Sequence, residues 1–280
     1  MFSCHLERSR ETVFSIQWLK ILQSAFVNLK SEISMSKFQF KQFSLEQDRC
    51  AMKIGTDGVL LGAWTPIDNN PFSILDIGTG TGIIALMLAQ RSAAEQIDAL
   101  EIDEDAYEQA TDNFENSPWN DRLFCFHAGL DEFVEELEDD PSDSELAQQY
   151  DLIVSNPPFY SEDYKSSNDQ RDLARFQDAM PFEELIEAAA LLLSENGIFS
   201  VITPFKEEEN FLALAKEYEL YPIKITRLKG TPTTETKRSL LAFSRNSVSN
   251  FPVDELIIET ERHIYTAGYI ALTKDFYLRM

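Results

Sequence analysis

Cysteine and histidine are scarce in this 280-residue chain, which holds three of each. Cys4, Cys50 and Cys125 are too few and too widely spaced to form a disulfide framework or a zinc site. His127 has only Cys125 near it in the sequence, too few ligands for a metal site, which favours a structural role over metal binding. We therefore expect reduced thiols, no metal ion and a cytoplasmic location.

Long apolar runs are also missing. The most apolar early segment, residues 13–29, is interrupted by Lys20 and several amides, and it lacks a clean signal-peptide core. We expect no membrane association. A more regular pattern begins near Met35. Residues 1–35 are therefore expected to be an N-terminal extension, either disordered or upstream of the true start, and residues 36–280 are expected to form a single domain.

Basic residues are scarce as well. The chain contains 24 basic and 48 acidic residues, so its net charge is −24. Taken alone, this balance argues against a nucleic-acid partner, since Lys and Arg make the contacts to phosphate. The charge is uneven, however. Residues 221–248 contain one acid, Glu235, and six basic residues: Lys224, Arg227, Lys229, Lys237, Arg238 and Arg245. The sequence therefore allows a local basic surface at these residues. Arg171 and Arg175 are further candidates for contacts with phosphate, and the alternative is that they lie on an ordinary surface helix.

Apolar residues are plentiful, at 44% of the chain, so a packed core is expected. Strand and helix patterns alternate from residue 72 to about residue 219, which predicts an α/β fold with a mostly parallel sheet. An antiparallel strand pair is predicted at its edge, at residues 223–228 and 239–244. The other predicted elements are a strand over residues 37–43, a helix ending at Trp64 and capped by Thr56 or Asp57, and a terminal helix over residues 265–278.

A glycine-rich turn follows the first strand of this pattern. The strand at residues 72–77 leads into Gly78-Thr79-Gly80-Thr81-Gly82 and then into a helix over residues 83–91, an order typical of nucleotide-binding folds. A dinucleotide fingerprint requires Gly or Ala at position 83, but Ile83 stands there, which argues against a nicotinamide-dependent oxidoreductase. Glu101 ends the next strand, near the separation expected for a carboxylate that binds ribose hydroxyls.

A second polar element follows the strand that starts at Asp151. Asn156-Pro157-Pro158-Phe159 ends this strand, because two consecutive prolines lack the N–H groups that a sheet needs. The rigid, extended segment after the strand presents an amide, a carbonyl and an aromatic ring at the edge of an α/β sheet where ligands bind. The alternative is an ordinary turn with Asn156 in an Asx-turn.

These motifs together resemble a known family. Asp76–Gly82 resembles the first motif of S-adenosylmethionine-dependent methyltransferases, and Asn156–Phe159 resembles the Asn-Pro-Pro-Tyr/Phe motif of enzymes that methylate planar exocyclic nitrogens. The stretches 38–43, 53–64 and 272–278 are similar to the bacterial tRNA1(Val) (adenine(37)-N6)-methyltransferase family. This resemblance implies a class I methyltransferase (Rossmann-like) fold with a seven-stranded, mostly parallel sheet, an antiparallel edge pair and helices on both faces.

The resemblance also implies an activity and a set of site residues. It implies methylation of an anticodon-loop adenine in tRNA by a monomeric enzyme that uses S-adenosyl-L-methionine. The implied catalytic residues are Asn156, Pro157 and Phe159. The implied cofactor-binding residues are Asp76, Gly78, Gly80, Gly82, Glu101 and Thr56.

Other activities fit some of the same motifs. Methyltransferases that act on a glutamine of release factors share the Asn-Pro-Pro element, and an acidic chain suits a protein substrate. Another RNA amino-methyltransferase is a further alternative. A cofactor-binding but catalytically silent RNA-binding protein is disfavoured by the intact Asn156. The stretches 38–43 and 53–64 favour tRNA.

Overall fold

A computed structural model describes residues 37–138, 149–158 and 180–280. Within them, a small antiparallel hairpin, β1 (Lys37–Gln39) and β2 (Ser44–Glu46), precedes a central sheet of eight strands. These are β3 (Ser73–Ile77), β4 (Gln96–Glu101), β5 (Leu123–His127), β6 (Tyr150–Ser155), β7 (Leu193–Pro204), β8 (Tyr221–Lys229), β9 (Thr236–Ser244) and β10 (Val253–Ile257). A second small hairpin follows, β11 (Glu259–Glu261) with β12 (Ile264–Tyr265).

The spatial order of the central sheet is β10–β8–β9–β7–β6–β3–β4–β5. Strand β9 is antiparallel to both of its neighbours, and every other neighbouring pair is parallel. The carboxyl ends of β3, β4, β6, β7 and β8 therefore meet at one edge of the sheet. Ligands of open α/β sheets bind at this edge.

Helices cover both faces of the sheet. They are α1 (Thr56–Trp64), α2 (Ile83–Arg91), α3 (Glu104–Glu115), α4 (Leu130–Glu138), α5 (Phe182–Leu192), α6 (Glu208–Glu217) and α7 (Ala267–Thr273). Successive strand residues point to opposite faces, so Ile74 joins the core beneath α1–α3 whereas Leu75 joins the core beneath α4–α6. The predicted class I methyltransferase architecture, with helices on both faces, is confirmed.

The strand count differs from the prediction of seven. Val253–Ile257 forms an eighth strand, which pairs in parallel with β8 from Val253 opposite Ile225 to Ile257 opposite Lys229. It covers backbone groups that β8 would otherwise expose at the sheet edge. The predicted antiparallel pair, β8 and β9, is therefore not at the edge, and only β9 runs against the rest of the sheet.

Two local predictions near the start of the domain need correction. The strand expected over residues 37–43 is a hairpin, because Phe40 N–H donates to Phe43 O (2.8 Å) and turns the chain. Gly55, not Thr56 or Asp57, occupies the N-cap of α1, and no side chain caps it.

The terminal helix is also shorter than the predicted span of residues 265–278. It covers only Ala267–Thr273. Its N-cap is Thr266, whose hydroxyl accepts a hydrogen bond from Tyr269 N–H (3.1 Å). This cap fixes the start of the helix after the short strand β12.

Several predicted features lie outside the described residues. These are the N-terminal extension, Cys4, Phe159, Arg171 and Arg175. Cys50 and Cys125 are free thiols. In the described part of the chain, no helix is both long and apolar enough to cross a membrane.

Candidate active site

The glycine turn between β3 and α2 adopts a backbone that favours glycine at three positions. Gly78, Gly80 and Gly82 have φ angles of 71°, 58° and 80°, in the left-handed region. A Cβ atom at Gly78 or Gly80 would meet nothing within 4 Å, whereas one at Gly82 would lie 2.5 Å from Phe114 Cε1. Gly82 is thus required for packing as well as for the turn, and open space lies over the other two glycines.

Backbone hydrogen bonds hold this turn against strand β4. The N–H groups of Gly78 and Thr79 both donate to Leu100 O, at 3.0 and 2.9 Å. Gly80 N–H donates to Glu101 Oε2 (2.8 Å), and Asp103 N–H donates to Glu101 Oε1 (3.0 Å). The structure therefore brings the predicted acid, Glu101, into direct contact with the glycine turn.

The buried side chain of Asp76 links the glycine turn to the start of α2. Its side chain is fully buried, and its Oδ2 accepts hydrogen bonds from Thr79 Oγ1 (2.6 Å) and from Ala85 N–H (3.2 Å) in the first turn of α2. Its Oδ1 has no hydrogen-bond partner among the described residues. Burial raises the pKa of Asp76 from 3.8 to about 7. The observed contacts of Asp76 are therefore with the turn itself.

The Asn156 corner, residues Asn156 and Pro157, lies beside the glycine turn. Strands β3 and β6 are neighbours, with Ile77 opposite Ser155, and Ser155 Oγ donates to Ile77 O (2.9 Å). Gly78 directly follows β3, and Asn156 directly follows β6. Asn156 is partly exposed and Pro157 is buried. The two motifs that were predicted to carry the chemistry therefore meet at one sheet edge.

The start of helix α1 completes this edge. A Cβ atom at Gly58 would lie 3.9 Å from Asn156 Nδ2 and 3.4 Å from Ile83 Cγ2, so the first turn of α1 packs against both motifs. Asp57 Oδ2 accepts a hydrogen bond from Arg238 Nε (2.9 Å), which ties α1 to strand β9. Thr56 is the exposed first residue of the helix, at the same edge.

Two residues that hold this edge together were missed by the sequence-based predictions. Arg238 stands out in the sequence only as a basic residue, not as the partner of Asp57. Asn113 carries no signal at all, yet its Nδ2 donates to Thr81 O in the glycine turn (2.9 Å) and to Glu46 O in strand β2 (2.9 Å). Both residues act across long sequence separations, so no local pattern could have found them.

The described residues offer no cluster of three or more His, Cys, Asp or Glu side chains that could hold a metal ion. His127 lies 3.1 Å from Ile102 O through its Nε2, and its ring stacks on Tyr107 with ring centroids 5.1 Å apart. One is a hydrogen bond and the other a ring contact, and both are made to protein groups.

Comparison with known proteins adds to this geometry. Residues 60–219 match the family described as Methyltransferase small domain. A predicted O-methyltransferase of Agrobacterium tumefaciens has a similar fold, with a TM-score of 0.59 and 19% identity over 79% of this chain and 96% of its own. At this identity, the likeness concerns the fold alone.

Two curated relatives are much closer in sequence, and both are named tRNA1(Val) (adenine(37)-N6)-methyltransferase. The protein of Flavobacterium johnsoniae is 74% identical over 87% of this chain and 100% of its own length. That of Christiangramia forsetii is 58% identical over 89% of this chain and 100% of its own length. The chain therefore belongs to the tRNA1(Val) (adenine(37)-N6)-methyltransferase family, among the proteins with a methyltransferase small domain.

Proposed function

We propose that this protein uses S-adenosyl-L-methionine to methylate N6 of adenine 37 in the anticodon loop of tRNA1(Val). The observation that carries the proposal is the contact between the two motifs, because Ser155 lies opposite Ile77 and places Asn156 next to the glycine turn. The family relationship supports the same substrate. We further propose that residues 36–280 form a single methyltransferase domain, and that the enzyme is a cytoplasmic monomer.

The glycine turn fits the methyl donor. Open space over Gly78 and Gly80 lets a ligand approach the backbone closely. Gly82 ends the glycine turn and is the N-cap residue of α2. Glu101 is placed to accept hydrogen bonds from ribose hydroxyls, while Asp76 holds the turn in shape. Thr56 lies at the start of α1, which covers the edge. When bound, S-adenosyl-L-methionine supplies a methyl group that is transferred from its sulfonium sulfur to the adenine nitrogen.

The Asn156 corner prepares the nitrogen for this transfer. An exocyclic amine conjugated to a ring is a poor nucleophile, because its lone pair is delocalised. The Asn156 side-chain oxygen and the Pro157 carbonyl accept hydrogen bonds from the two N–H groups of N6, which favours a tetrahedral nitrogen with its lone pair directed at the methyl group. The extra proton leaves after transfer, so no strong base is required. The remaining contribution is positioning.

Phe159 completes the proposed catalytic set as a stacking partner of the adenine, a contact typically worth about 1–3 kcal/mol. It lies outside the described residues, so its role remains a prediction from the sequence. An anticodon-loop adenine is already unpaired, and its extrusion therefore costs less than opening a duplex.

Methyl transfer to defined transcripts tests this function. We expect the purified protein to methylate a tRNA1(Val) transcript, with N6-methyladenosine as the product by mass spectrometry. A matched transcript with guanine in place of adenine 37 should accept no methyl group. Equal methylation of both transcripts would contradict the proposed position. Methylation of a release factor instead of tRNA would support the alternative, which the relatives' names do not favour.

A further inference from the structure

A cavity of about 520 Å³ lies beyond the Asn156 corner on the same sheet edge. Strands β7 and β8 both run parallel to β6 and end at this edge, and the turn between β8 and β9 lines the cavity, which is open to solvent. The activity described above does not use this cavity. Its lining residues are Phe205, Lys229, Pro232, Thr233, Thr234, Glu235 and Thr236.

A continuous set of contacts leads from Asn156 to this cavity. Asn156 packs near Gly58, and the adjacent Asp57 accepts a hydrogen bond from Arg238 (2.9 Å). Arg238 on β9 lies opposite Pro204 on β7, and Phe205 directly follows Pro204 in the chain. From the rise and spacing of strands, Phe205 lies roughly 10–15 Å from Asn156. This distance corresponds to a nucleotide close to the target adenine.

Phe205 is an aromatic side chain held in place at the surface. It is 38% exposed, and the guanidinium carbon of Arg227 lies 5.5 Å from the centre of its ring. Arg227 is fixed in turn by Glu208, at 2.7 Å from Nη2 to Oε1. Glu208 is itself buried. A fixed and partly exposed ring is suited to stacking on a nucleobase.

The remaining walls suit a base better than a phosphate. They combine threonine hydroxyls with one cation, Lys229, and one anion, Glu235, so they provide both donors and acceptors without a strong net charge. Lys229 is also bound to Glu255 (2.7 Å). Two further basic residues near the cavity, Arg227 and Arg238, are paired with Glu208 and Asp57, so they add no strong net charge.

We infer that Phe205 and the turn at residues 232–236 form a subsite for an unpaired nucleobase that flanks the target adenine in the anticodon loop. The subsite rests on the proposed function, because it requires an RNA substrate. It binds RNA next to the Asn156 corner and takes no part in methyl transfer itself.

The test compares the variants Phe205→Ala, Phe205→Tyr and Phe72→Ala. Phe72 is a matched control, because it is an exposed phenylalanine (58%) just before β3, at the opposite edge of the sheet. We expect Phe205→Ala to weaken tRNA binding about 5- to 150-fold. The affinity for S-adenosyl-L-methionine and the thermal midpoint should stay near those of the wild type. Phe205→Tyr should restore tRNA binding, and Phe72→Ala should leave it unchanged.

The outcomes separate the subsite from the proposed function. If the wild type methylates tRNA and Phe205→Ala binds it as tightly as Phe72→Ala does, the subsite is wrong and the proposed function stands. If Phe205→Ala lowers tRNA and cofactor affinity alike, the ring has a general structural role and the subsite is also wrong. If the wild type neither binds nor methylates tRNA, both proposals fail.

Discussion

The glycine turn and the Asn156 corner lie side by side at one sheet edge, but contacts of very different sequence separation hold them. In the turn, Thr79 bonds to Asp76 three residues away, and Gly80 bonds to Glu101 at a separation of 21 residues. At the corner, Ser155 bonds to Ile77 across 78 residues, and the neighbouring Asp57 bonds to Arg238 across 181 residues. One region is built locally, whereas the other is assembled by the whole fold.

This difference separates two kinds of function. The turn is mostly buried, and its geometry follows from three glycines and two carboxylates, Asp76 and Glu101. The corner, the start of α1 and Phe205 are partly exposed and come from distant parts of the chain. We therefore expect changes in the turn to affect cofactor affinity and stability together. Changes around the corner should affect methyl transfer or tRNA binding with little effect on stability.

The largest effect is expected for Asn156→Ala. Because the variant loses an acceptor for an N–H group of the target amine, kcat should fall about 100- to 1000-fold, as for loss of one preorganised hydrogen-bonding group in other active sites. Cofactor affinity and the thermal midpoint should change little. Steady-state kinetics, calorimetric titration and thermal unfolding provide the three measurements.

Asn120→Ala is the control for this variant, because Asn120 is an exposed asparagine whose Nδ2 donates to Glu115 O (3.2 Å) away from the site. It should keep full activity. Full activity in Asn156→Ala would remove the proposed mechanism, and a parallel loss of cofactor affinity would erase the distinction between the two regions.

The same distinction explains how far the sequence could predict the structure. Asp76, the glycines and Glu101 form a compact pattern along the chain, and the order of strand, turn, helix and second strand was predicted correctly. The approach of Arg238 to Asp57 depends on how β9 inserts between β7 and β8, which no local pattern specifies. The eighth strand depends on the whole fold in a similar way, since its short segment gains its structure by pairing with β8.

A pair of glycine variants tests the turn itself. Gly78→Ala meets no neighbouring atom, so it should cost only the left-handed strain of about 1–2 kcal/mol. Gly82→Ala adds a collision with Phe114 and should cost about 1–3 kcal/mol more. Denaturant unfolding should show this order for stability. Equal losses in the two variants would contradict the packing role of Gly82.

The buried carboxylate in the turn should make stability depend on pH. Because burial raises the pKa of Asp76 from 3.8 to about 7, the folded protein binds this proton more tightly than the unfolded chain does. This contribution to stability therefore falls as the pH rises from about 4 to about 7, and then levels off. Asp76→Asn removes the dependence, so its stability relative to the wild type should increase by about 2 kcal/mol between about pH 5.5 and about pH 8.

Urea unfolding of the cofactor-free proteins at these two pH values measures the effect. Asp98→Asn provides a comparison at a second buried carboxyl group. Burial also raises the pKa of Asp98, and Tyr150 donates a hydrogen bond to its carboxylate (2.7 Å). A pH-independent difference between Asp76→Asn and the wild type would show that the Asp76 carboxyl group is not protonated in the folded protein.

A small effect on stability is expected for Asp57→Asn, which weakens the link between α1 and β9. Both partners of this ion pair are partly exposed, so the loss of stability should stay below about 1 kcal/mol. Asp112→Asn is the matched control, because Asp112 forms a similarly exposed ion pair with Arg49 (2.6 Å). Both variants should unfold at similar denaturant concentrations, but only Asp57→Asn should lower the rate of methyl transfer, since the first turn of α1 packs against Asn156. Equal rates in the two variants would show that the Asp57–Arg238 pair has no part in positioning the corner.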